Sequence, residues 1–186
     1  GKRSRQIRRR VNFRVMRVLK LHESANCTCI RVSGEDAASF LQSQFSNDLR
    51  LRTAEPATYG LWLDRKGKVH ADSFVLGTAE ERFLLVSYYA TAESIIEGLE
   101  ANLVADEVEL ETVSHDWTVL SLWGAGVSDC LDIMRVEPPE SGRFLRVHGG
   151  YLFCGRRVRP RSYDFLLDRA TSAKIAGQCR ALSEEK

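Results

Sequence analysis

An aspartate interrupts the strand-like run 69–76 at Asp72. In an alternating strand, His70, Asp72, Phe74 and Leu76 share one face, and Val69, Ala71, Ser73 and Val75 share the other. A carboxylate beside large apolar residues either meets a partner or lines a polar pocket, because burying it unpaired is costly. The alternatives are a solvated strand-end residue or a structural pair with an arginine. Ahead of it, the turn Asp64-Arg65-Lys66-Gly67-Lys68 offers cations to an anion, although a solvated hairpin turn has the same composition. Tyr59, Trp62 and Tyr88 can stack on a flat ring or pack as core. Elsewhere the chemistry is thin. His22, His70, His115 and His148 have neither metal nor triad spacing. Cys27 and Cys29 face one side of a strand, but Cys130, Cys154 and Cys179 stand singly, so the cysteines read as buried structural residues rather than a zinc site. Gly124-Ala125-Gly126 has Asp129 where a dinucleotide fingerprint needs its third glycine, which leaves a tight strand-to-helix turn. No catalytic residue and no metal ligand is assigned.

The elements that must position these residues follow from periodicity. Residues 27–32 read as a strand, and 35–45 as a helix with Ala37, Phe40, Leu41 and Gln44 at helical spacing. Ser33 is the expected cap, with Asp36 in the capping-box position, and Asn47-Asp48 is the stop. A strand ending at Leu61-Trp62-Leu63, the strand 69–76 and the strand 82–87 come next, the last two as a hairpin. A helix over 91–103 carries Ala92, Ile95, Ile96, Leu99 and Leu103 on one stripe, and 107–111 alternates as a half-wet strand. The order β-α-β-β-β-α-β is close to a ferredoxin-like split βαβ. It restarts at 117–123, with a helix through Val127, Cys130, Leu131 and Met134, strands at 143–147, 151–154 and 163–167, and a last helix capped by Asp168. This second copy stops at its helix, without a closing strand. The fold class is therefore α+β, with two ferredoxin-like subdomains at 21–113 and 114–186 and the second incomplete.

Composition narrows the function classes. Across 186 residues the apolar share is 44% and the charged share 28%, ordinary for a globular chain. No apolar run approaches the roughly 20 residues that span a bilayer, so no membrane association is expected. Five cysteines without a secretory signal point to a reducing compartment, the cytoplasm. The net charge of +2 conceals a basic arm at 1–20 that contains no acid. Such an arm reads as a non-specific leader, as a nucleic-acid contact, or as a presequence that would place the protein in the mitochondrial matrix. An RNA-binding ferredoxin-like module is one function to weigh, but the sheet lacks the aromatic strand motif that such modules use.

The block 31–49, Arg-Val-Ser-Gly-Glu-Asp-Ala-Ala-Ser-Phe-Leu-Gln-Ser-Gln-Phe-Ser-Asn-Asp-Leu, together with Lys66-Gly67-Lys68-Val69-x-x-Asp72 and Phe83-Leu84-Leu85-Val86, resembles the YgfZ-type folate-binding proteins. These are similar in turn to the aminomethyltransferase (T-protein) of the glycine cleavage system. The resemblance is strong through residue 104. It implies two interleaved ferredoxin-like subdomains that bind tetrahydrofolate, in an accessory factor for iron–sulfur client proteins and some tRNA modification rather than an independent enzyme. Aminomethyl transfer to tetrahydrofolate is the alternative. Asp72, five residues after Gly67, matches the carboxylate that pairs with a folate ring nitrogen. Lys66 and Lys68 are expected near the glutamate tail, and Trp62 and Asn47 complete the expected ligand-binding set. The chain contains no Lys-Gly-Cys-Tyr segment of the YgfZ type. Where the transferases have Thr-Gly-Glu, it has Arg159-Pro160-Arg161-Ser162, so the transferases' pterin-holding acid is not matched.

Overall fold

The computed structural model describes residues 18–50, 54–159 and 161–184. The expectations for the basic arm before residue 18 lie outside them. Two five-stranded antiparallel sheets pack face to face, and each carries two helices on its outer side.

The first sheet has β2 (Thr28–Ser33), β3 (Ala57–Leu63), β4 (Val69–Ala79), β5 (Arg82–Ser87) and β6 (Glu109–Thr112), in the order β3-β4-β5-β2-β6. Helices α1 (Ala37–Gln44) and α2 (Ala92–Glu100) cover its outer face through Phe40, Leu41, Ile95 and Leu99. The second sheet has β1 (Lys20–Ser24), β7 (Thr118–Trp123), β8 (Phe144–Val147), β9 (Gly150–Gly155) and β10 (Ser162–Leu167), in the order β1-β7-β10-β9-β8. Its outer face is covered by α3 (Val127–Met134) and α4 (Arg169–Glu184). The two orders are equivalent if β1 stands for β6. The closing strand that the second unit lacks in sequence is thus supplied by β1, which runs antiparallel to β7 with Leu21 opposite Leu122. Strand order alone cannot show this, because β1 lies more than 90 residues upstream of its partner.

Helix α1 departs from its expected cap. Ser33 ends β2, and the helix begins after Asp36, whose carboxylate accepts from the Glu107 N–H at 2.8 Å instead of capping its own helix. The free Ala38 N–H is taken by Glu81 from the β4–β5 turn at 2.9 Å. Gly34 at φ +130 allows this crossing, since a Cβ there would sit 2.0 Å from the Glu107 carbonyl oxygen. Thr91 caps α2 by accepting from the Ser94 N–H, and Asp168 caps α4 by accepting from the Thr171 N–H. Cys130 and Cys179, 49 residues apart, are joined as a disulfide between α3 and α4. Sequence spacing could not show that adjacency. Among the described residues no helix is long and apolar enough to cross a membrane.

Candidate functional site

Polar chemistry collects where the two sheets meet. Asp72 and Phe74 point from β4 into the gap, opposite the register partners Leu61 and Tyr59. Tyr59 donates its hydroxyl to Asp72 Oδ2 at 2.6 Å, and the Arg156 guanidinium lies 4.1 Å over the Tyr59 ring. One ring further in, a second pair repeats the arrangement. Tyr88 donates to Asp164 Oδ2 on β10, and Arg157 lies 4.5 Å over the Tyr88 ring. Phe74 sits between the two tyrosines, with ring centroids 5.2 Å from Tyr59 and 6.0 Å from Tyr88. The site is therefore two tyrosine–carboxylate pairs, each under an arginine, joined by a phenylalanine.

The two pairs differ in access. Asp72 is half-buried, and its Oδ1 takes no hydrogen bond among the described residues. Asp164 is fully buried. Gly155 makes room for it, because a Cβ on Gly155 would lie 2.6 Å from the carboxyl carbon. Burial pushes the Asp164 carboxyl up, against the opposing pull of the Tyr88 hydroxyl and the Arg157 charge. Burial also raises the Tyr88 hydroxyl, helped by the Asp164 charge. Burial likewise raises the Tyr59 hydroxyl, followed by its hydrogen bond to Asp72 and then by the charge of that carboxylate.

A family model, the GCVT N-terminal domain, matches residues 12–148. The chain belongs to that family. The aminomethyltransferase of Chloroherpeton thalassium is 27% identical to it over 127 residues, covering 68% of this chain and 35% of the relative. The chain thus spans about a third of that curated relative's length. Glycine cleavage system aminomethyltransferase T from Bartonella henselae superposes with a TM-score of 0.75 at 17% identity, over 87% of this chain and 45% of the other. The heterotetrameric sarcosine oxidase of Corynebacterium sp. U-96, solved with pyrrole 2-carboxylate, gives 0.63 at 18% identity, over 91% and 86%. At such identities these likenesses show the fold, which is the GCVT-type α+β arrangement.

Within this GCVT-type fold the expected ligand residues do not converge. Only Asp72 reaches the site. Trp62 points to the opposite face of the sheet, where its Nε1–H donates to Ser73 Oγ at 2.9 Å and its ring packs 4.7 Å from Phe45. Lys66 and Lys68 are exposed on the β3–β4 turn, held by their backbone N–H groups on Asp64 Oδ1. The cations at the tyrosine pairs are instead Arg156, over Tyr59, and Arg157, over Tyr88. Asn47 acts one step back, donating from Nδ2 to the Tyr59 carbonyl oxygen at 3.0 Å and so steadying the residue that pairs with Asp72. His70, expected on the Asp72 face, is turned away by a β-bulge: Trp62 pairs with Ala71 and Leu63 with Val69, which leaves His70 unpaired. Cys27 and Cys29 do face one side, with their sulfurs 3.9 Å apart in the core. Among the described residues no group of three or more His, Cys, Asp or Glu could hold a metal ion.

Asp164, Arg156 and Arg157 were not among the sequence candidates. Alternation gave a signal for Asp164, since it shares a strand face with Ser162 and Leu166. Its burial makes a prediction about pH. Asp164 Oδ1 and the neighbouring Ser121 Oγ are both buried without hydrogen-bond partners among the described residues. Asp164→Asn keeps an acceptor for Tyr88 and adds an amide donor for Ser121. It should stabilise the protein at neutral pH by on the order of 1–3 kcal/mol. Because the native pKa is raised, the native state holds more protons than the unfolded state above the unfolded value of about 3.9. Wild-type stability contributed by this group is therefore present at low pH and lost as pH rises through the native pKa. The advantage of the variant should shrink towards pH 4 in thermal melts; a pH-independent difference would contradict the burial of a titrating carboxyl.

Proposed function

We propose that this chain is a tetrahydrofolate-binding module of the GCVT type, without independent catalysis. The observation that carries the reading is the open carboxylate Asp72, set against a row of rings with Arg156 beside it. A pterin edge presents N–H donors that Asp72 Oδ1 can accept, the rings offer apolar faces, and the arginines offer charge to a glutamate tail. The residues present thus fit the ligand. The YgfZ resemblance of residues 31–49 and Lys66–Asp72 extends the reading to an accessory role in iron–sulfur protein assembly or repair and in tRNA modification. A second reading, aminomethyl transfer to tetrahydrofolate, is favoured by the name of the C. thalassium relative. The Arg159–Ser162 segment counts against it, since it puts cations where the transferases are expected to hold an acid.

Calorimetric titration of the chain with tetrahydrofolate is expected to show saturable one-to-one binding. Consumption of an aminomethyl donor in the presence of tetrahydrofolate would replace this reading with the second. No heat and no protection against thermal unfolding at ligand excess would remove both.

A further inference from the structure

We propose that a cavity on the helix side of the β3–β4 hairpin binds a small carboxylate carried on a flat apolar body. The cavity has a volume of about 640 Å3 and lies between the end of α1, the hairpin and α2. That is within the ~300–1,000 Å3 range of small-molecule sites. It lies on the sheet face opposite Asp72, so the proposal does not depend on the folate reading.

Three departures from local rules converge on it, each of which opens or shapes the space. The bulge in β4 turns His70 onto α2, where its Nε2–H donates to the Ser94 carbonyl oxygen at 2.7 Å. Gly98 stands in the last turn of α2, and within a helix glycine costs up to about 1 kcal/mol relative to alanine. A Cβ there would already come within 3.2 Å of His70 Cδ2, and anything longer would fill the cavity that Gly98 lines. Gly60 in mid-β3 lets the Phe45 ring lie against the strand, since a Cβ would sit 2.6 Å from that ring. Breaks of local preference that point to one place are characteristic of functional sites.

The chemistry of the walls selects the ligand. Phe45 and Trp62 form an aromatic floor, which Ile95 and Leu99 extend. At the rim the Asp64 carboxylate is engaged by the Lys66 and Lys68 backbone N–H groups. Arg65 beside it is exposed and makes no hydrogen bond or ion pair among the described residues. An apolar slot with an unpaired guanidinium at its mouth suits a planar apolar group that ends in an anion.

The probes are 1-naphthoate and its neutral counterpart 1-naphthamide, titrated against the whole chain by calorimetry, with the Trp62 Nε1–H resonance followed by NMR. The carboxylate is expected to move that resonance and to bind more tightly than the amide. Arg65→Ala should bring naphthoate down to the affinity of the amide, a roughly three- to tenfold loss for a partly solvated pair. Gly98→Leu should lower both affinities at least roughly tenfold by filling the slot. Lys66→Ala, one residue on, should leave both unchanged. Equal binding of acid and amide by the wild type, or an unaltered preference in Arg65→Ala, would overturn the anionic ligand class. A Trp62 resonance that stays fixed at millimolar probe would overturn the site itself.

Discussion

Phe153→Ala should destabilise the protein by roughly 3–5 kcal/mol, the range for emptying a buried phenylalanine site. For a chain of this size that lowers the melting temperature by about 6–20 °C. Phe153 on β9 is fully buried, and its ring lies 4.8 Å from Phe74 on β4. The contact joins the two sheets, so neither sheet can close the resulting void alone. The inter-sheet core also contains Phe144, Leu76, Leu84, Val119 and Leu166, drawn from five strands between them, which leaves few small residues able to move in. Because Phe74 in turn separates Tyr59 from Tyr88, the substitution should also loosen the site. Urea or thermal unfolding measures the first effect. A loss below about 1 kcal/mol would mean that the sheets do not pack face to face at this point.

How much of this arrangement is legible in the sequence depends on how local its cause is. Alternation and helical spacing place the strands and helices of both units in order, because the Phe40–Leu41 and Ile95–Leu99 stripes and the alternation of β4 are set within a few residues. What depends on distant segments is not legible. The cap of α1 comes from Glu81, the neighbour of β7 is β1, and Cys130 meets Cys179 across 49 residues. The site shows the same division. Asp72 is recognisable as a carboxylate among apolar strand residues. Strict alternation puts His70 on the Asp72 face, and ring stacking makes Trp62 a ligand candidate, yet period-2 geometry sends Trp62 to the other face and one bulged residue reverses His70. The arginines that replace Lys66 and Lys68 in the site come from the β9–β10 loop, more than 80 residues downstream, and nothing in their own stretch of sequence points to Tyr59 and Tyr88.

Asp72→Asn should weaken tetrahydrofolate binding about ten- to a hundredfold while the fold is kept. The amide has the shape of the carboxylate but presents one acceptor and one donor where the pterin edge needs acceptors. A charge-assisted hydrogen bond lost in this way is worth roughly 1.5–3 kcal/mol, and that converts to the stated range of affinity. The fold should survive because Asp72 is only half-buried and its hydrogen bond from Tyr59 can be accepted by the amide oxygen. Arg156→Ala should act differently. It removes a cation held over the Tyr59 ring, so its effect should be smaller and should shrink with added salt. Lys66→Ala and Lys68→Ala, on an exposed turn away from the tyrosine pairs, should leave the affinity for monoglutamyl folate unchanged. Calorimetry on these variants at two salt concentrations, with circular dichroism as the check on folding, separates the three contributions. Equal affinity of wild type and Asp72→Asn would take Asp72 out of the ligand contact, and a loss confined to the lysine variants would return the site to the β3–β4 turn.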